Sequence, residues 1–130
     1  MIAAILVTGD LERLYCGLSL LVSAAADGQP ARGLLTFGAL EPLLDPWLAG
    51  RALLPQGTPS LTVPGRDTFA RSLAELRDTA FALEDCRLWA CAAALEVTPV
   101  ARADVEDQLE GVLSTPRFLR EVAGAQLVVV

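Results

Sequence analysis

Residues 2–26, IAAILVTGDLERLYCGLSLLVSAAA, decide the fold. Ile2 to Thr8 is a short apolar run without helical spacing, and Gly9 ends it. Continuous apolarity over that length is the habit of a strand buried on both faces of a parallel sheet. Asp10 then offers an N-cap, and Leu11, Leu14, Tyr15, Leu18, Leu21, Val22 and Ala25 return at three- and four-residue intervals to about Ala26. A buried strand feeding an amphipathic helix is the first half of a β–α–β unit. The far side of this helix still carries Cys16, Leu20 and Ala24 beside Gly17. A helix that is apolar on a second face needs a second cover, so a subunit interface is expected there.

Outward from this unit, Asp27-Gly28-Gln29-Pro30 turns the chain into a second strand, Ala31 to Phe37, stopped by Gly38. Glu41 to Leu54 is apolar but broken by Pro42, Pro46 and Gly50, enough for a short helix at most. Pro55 to Gly65, with three prolines and two glycines, reads as a loop with hinges at Gly57 and Gly65. Asp67 or Thr68 caps the next helix, whose stripe is Phe69, Leu73, Leu76, Ala80 and Leu83, with Arg71, Glu75 and Asp78 solvated. Cys86 to Ala90 is the third strand. Val105, Leu109, Val112 and Leu113 indicate a short helix, Pro116 restarts one that Gly124 closes, and Gln126 to Val130 is a last strand. Strand and helix alternate throughout. The expectation is one α/β domain over residues 1–130, a three-layer sandwich around a mainly parallel sheet of four to five strands.

Composition removes whole classes of chemistry. The 130 residues hold no histidine, and all ten cations are arginine. That excludes histidine-based triads and pairs, most zinc sites, a P-loop lysine and Schiff-base catalysis. A net charge of −6 argues against a nucleic-acid partner held through phosphates. Hydrophobic residues make up 53% and the mean hydropathy is +0.46, yet no run reaches the ~18 apolar residues of a membrane span. Met1 to Gly9 lacks the basic start of a signal peptide. The expected protein is cytoplasmic, without a membrane span, its surplus apolar surface covered in a homo-oligomer. Three cysteines, Cys16, Cys86 and Cys91, without a CxxC pair fit a reducing compartment.

In parallel α/β sheets, ligands gather at the carboxyl ends of the strands. Three loops meet there: Thr8-Gly9-Asp10, Thr36-Phe37-Gly38 and Cys91-Ala92-Ala93. Gly9, Asp10, Phe37, Gly38, Ala92 and Ala93 are therefore the candidate binding residues and Cys91 the candidate nucleophile. Cys91 stands where a strand gives way to a helical turn (AAALE), beside free backbone N–H groups that favour a thiolate. Cys86 lies on the opposite strand face, and Cys16 suits interface packing. TGDLER is not a GxGxxG turn, Glu106-Asp107-Glu110 reads as a solvated face, and Asp45, Glu84 and Asp85 lack metal-ligand spacing. No metal and no cofactor are called for.

A family resemblance gives these positions a chemistry. GDLERLYCGLSLLVSAAADG followed by LLTFGALEPLL, and LAELRDTAFALED running into RLWACAAALE, resemble the DsrE/DsrF-like sulfur-relay family. Members show a first helix ending in an A-A-A-x-G stretch, a T/F-F-x-G strand end, a cysteine at a strand tip, and a GV…FL…A tail. Gly111-Val112, Phe118-Leu119 and Ala123 match that tail. Glu84-Asp85-Cys86 stand where the family usually has a glycine, and Ala92, Ala93 and Ala94 replace its hydroxyl residues. The resemblance spans the chain apart from the Pro/Gly-rich loop. It implies a flavodoxin-like/DsrE-like fold and a sulfurtransferase-like carrier holding sulfane sulfur as a persulfide on Cys91. Its partners would be sulfur donor and acceptor proteins or low-molecular-weight persulfides. The alternative is a non-catalytic oligomeric module of the same fold that binds a small ligand or a protein partner at the strand ends.

Overall fold

A computed structural model describes residues 1–54, 56 and 58–130. Five parallel strands form one sheet in the order β4-β3-β2-β1-β5: β1 Ile2–Leu6, β2 Ala31–Leu35, β3 Cys86–Cys91, β4 Gly111–Leu113 and β5 Gln126–Val129. The helices are α1 Leu11–Ala26, α2 Leu40–Leu44, α3 Leu48–Leu53, α4 Val63–Ala82, α5 Ala92–Val97, α6 Arg102–Gln108 and α7 Thr115–Glu121. Strands β1 to β4 follow one another across the sheet, so right-handed crossovers bring their helices to one face. The last crossover runs back to the far side of β1 and puts α7 on the other. Side-chain contacts agree: a methyl group on Gly33 of β2 would strike Leu88 of β3 and touch Leu21 of α1, whereas Trp89 meets Phe118 of α7 edge-on, centroids 6.2 Å apart. The result is a three-layer α/β sandwich. No helix among the described residues is long and apolar enough to cross a membrane.

The opening unit follows its sequence closely. Asp10 caps α1 through Oδ1, which accepts from the Arg13 N–H at 3.0 Å. Leu11, Leu14, Leu18, Leu21 and Ala25 are buried, while Cys16 and Leu20 on the far side are exposed. Gly17 belongs to the inner face instead, pressed so close to Leu6 that a methyl group there would collide with it.

β1 stops at Leu6, short of Thr8, β3 runs on through Cys91, and three further boundaries differ from the sequence reading. Helix α4 starts at Val63, before Asp67 and Thr68, because the Thr62 hydroxyl caps it by accepting from the Gly65 N–H at 3.1 Å. Pro64 costs nothing in that first turn, where backbone N–H groups lack intrahelical partners anyway. Gly65 thus lies inside a helix, and the hinge expected at Gly57 falls outside the described residues. Val112 and Leu113 are in β4 and not in a helix: Gly111 adopts φ 147°, which ends helical continuation, and the Glu110 N–H donates to Leu88 O. Phe37 is not in β2, which stops at Leu35; Phe37–Ala39 form a 3₁₀ turn.

Arg77 is the largest departure from pattern. It is 7% exposed on the inner face of α4. Its Nη1 donates to Leu43 O and Asp45 O, both at 2.9 Å, its Nε meets Asp78, and the guanidinium lies over the Phe81 ring. One side chain thereby closes the carbonyls at the end of α2 and docks the proline-broken segment onto α4. Arg77→Met keeps the length but leaves Leu43 O without its donor and Asp45 O with only the Leu48 N–H. We expect a loss of about 2–4 kcal/mol in urea unfolding; a loss below about 1 kcal/mol would mean that water serves them equally well.

Candidate functional site

The carboxyl ends of β1 and β2 are locked together by backbone and hydroxyl. Thr36, nearly fully buried, donates to Leu6 O from both its N–H (2.9 Å) and its Oγ1 (3.1 Å). The two following loops then come into van der Waals contact at Gly9 and Gly38. A methyl group on Gly38 would lie 2.8 Å from Gly9 N, and one on Gly9 would lie 2.9 Å from Gly38 O. Glycine is needed at both positions for lack of space. Between these constraints Phe37 takes φ 42°, a left-handed conformation that is costly for an aromatic residue, and its ring is half exposed.

Three adjoining cavities open on this edge of the sheet. One of about 390 Å³ is lined by Gly9, Phe37, Gly38, Glu41, Pro42, Arg51, Val97, Thr98 and Pro99. A second, about 520 Å³, shares Gly9, Pro42 and Arg51 and adds Asp10, Leu11, Leu54, Gln56 and Pro59. The third, about 310 Å³, shares Glu41, Arg51 and Pro99 and adds Leu44, Asp45, Pro46, Val100 and Asp104. Arg51 is common to all three, which makes them one groove with a cation at its centre.

That cation is held firmly. Arg51 Nε donates to Asp45 Oδ2 at 2.6 Å and its Nη2 to Glu41 Oε1 at 3.0 Å. Asp45 also accepts from the Trp47 N–H at 2.8 Å through Oδ1. The Arg51 hydrogen bond, then that of Trp47, holds the Asp45 carboxyl below its ordinary range. The Asp45 bond in turn raises the already high pKa of Arg51. Thr98, on the groove wall, has a buried hydroxyl oxygen with no hydrogen-bond partner.

Of the residues expected at the site, Gly9, Asp10, Phe37 and Gly38 line this groove. Cys91, Ala92 and Ala93 line none of its three cavities. Cys91 closes β3 and occupies the N-cap position of α5, and it is 4% exposed. Cys86 is buried too, and burial pushes its thiol up to about 11, whereas Cys16 is exposed. Arg51, Glu41, Thr98 and Asp104 went unnoticed in the sequence. Glu41 and Arg51 sit in the proline-broken stretch, where no periodicity ties one to the other. Their partnership is visible only after α2 and α3 fold back on each other.

No protein-family model matches the chain, and a search of curated proteins finds no match.

Proposed function

We propose that this protein is a binding module whose ligand lies in the Arg51 groove at the carboxyl edge of the sheet. One observation carries the reading: three cavities share Arg51, two of them are walled by the touching loops after β1 and β2, and Phe37, Pro42, Val97 and Pro99 add apolar surface. Concave, mostly apolar sites with a few fixed polar groups are the usual form of small-molecule pockets. A carboxyl-edge position suits the parallel topology. The exposed Leu20 and Cys16 on the outer face of α1 offer a surface for a second copy of the chain in a homo-oligomer. A mixed library of neutral, cationic and anionic fragments, followed by amide NMR, tests the groove. The largest shifts are expected at Gly9, Phe37, Gly38 and Thr98; shifts confined to other surfaces would overturn the reading.

A second reading is favoured by the place of Cys91, at the tip of β3 where the resemblance to the DsrE/DsrF-like family puts its sulfur-bearing cysteine. A Cys91 thiolate would attack the outer sulfur of a persulfide donor, forming a cysteine persulfide and releasing the donor as its thiol. Sulfur and electrons balance without an oxidant. At 4% exposure Cys91 needs a local opening of the strand tip before a donor reaches it. Intact mass after incubation with a low-molecular-weight persulfide tests this. One added sulfur atom in the wild type that disappears in Cys91→Ser supports the carrier. No addition, or addition only at Cys16, counts against it.

A further inference from the structure

The charges on the groove walls restrict what it can hold. Arg51 is the only cation there among the described residues, and its Nε and Nη2 are already engaged by Asp45 and Glu41. An entering carboxylate or phosphate would compete with two carboxylates fixed at hydrogen-bond distance. It would also enter against four acidic side chains, Asp10, Glu41, Asp45 and Asp104, on a chain of net charge −6. An anion is disfavoured on both counts.

The four acids differ in what they have left to offer. Asp45 spends both oxygens, on Arg51 and on the Trp47 N–H, and Glu41 spends Oε1 on Arg51, which keeps its carboxylate beside that cation. Asp10 spends only Oδ1, on the cap of α1, and the side chain of Asp104 has no hydrogen bond or ion pair among the described residues. These two stand on different cavities: Asp10 on the 520 Å³ cavity and Asp104 on the 310 Å³ one. The cavity that shares walls with both is largely apolar, with Phe37 and Val97 half or more exposed along it.

Resting on the groove as the binding site, we infer that its ligand is a linear organic dication, an alkane diamine or polyamine. One ammonium pairs with Asp10, the other with Asp104, and the methylene chain lies along Phe37 and Val97. A monovalent amine would gain one pairing only, and a diol of equal length none.

Three probes of one length test the class: octamethylenediamine, the matching diol and suberate, each titrated into the full chain at low salt and followed at the Gly9, Gly38 and Thr98 amides. The diamine should give saturating shifts that weaken as salt rises. The double variant Asp10→Asn/Asp104→Asn should bind it about 3- to 10-fold more weakly, two exposed ion pairs being lost. Asparagine keeps the N-cap of α1, so the fold should be retained, which far-UV circular dichroism checks. Suberate or diol shifting these amides as strongly as the diamine, or unchanged diamine affinity in the double variant, would overturn the inference and leave the groove standing. No shift with any of the three would also overturn it; fragments binding elsewhere would be the separate failure of the groove.

Discussion

The backbone contact between Gly9 and Gly38 is the constraint on which the carboxyl edge depends. β1 and β2 are neighbours in register, Leu6 beside Leu35, and Thr36 clamps their ends by donating twice to Leu6 O. With the strands pinned, the loops have nowhere to separate, and only residues without a Cβ fit where they meet. The half-exposed Phe37 ring and the entry to α2 follow from that contact. The groove is a consequence of sheet register before it is a property of any side chain.

A second device completes it from the other side. The segment from Leu40 to Leu53 has too many helix breakers to make one long helix, so it folds as two short ones whose ends expose carbonyls. Arg77 takes those of Leu43 and Asp45, and Arg51 takes the Asp45 carboxylate. Two arginines thus convert an irregular stretch into a rigid wall. Thr58, fully buried and beyond the end of α3, adds a bond from its hydroxyl to Ala52 O in the last turn of that helix.

The sequence made the sheet legible wherever a period ran long enough. Sixteen residues of α1 carry a stripe that leaves no choice of inner face, and β1, β2 and β3 are apolar runs bounded by glycine or charge. β4 was lost because three residues hold no period, and Gly111 disguises a strand start as a helix end. The first turn of α4 was lost because Pro64 and Gly65 look like breakers, although a proline inside a capped first turn is harmless. At the site, the glycine loops were readable from fold class alone. Arg51 and Glu41 were not, since ten residues separate them and only tertiary folding pairs them. Cys91 is the last residue of β3 and not the first beyond it, and its burial is a property of what packs over the strand tip, which the spacing of its neighbours does not encode.

The account stands on the groove owing its shape to the glycine contact. Gly38→Ala puts a methyl group against Gly9 N, which is backbone and can yield only by moving the loop. Titration of this variant and the wild type with a fragment that shifts the wild-type Gly9 and Gly38 amides, read at the Phe37 and Thr98 amides, is the direct measurement. Saturating shifts in the wild type that shrink severalfold in Gly38→Ala, with the amides of β3 unchanged, are the predicted result. Equal shifts in both proteins would contradict it.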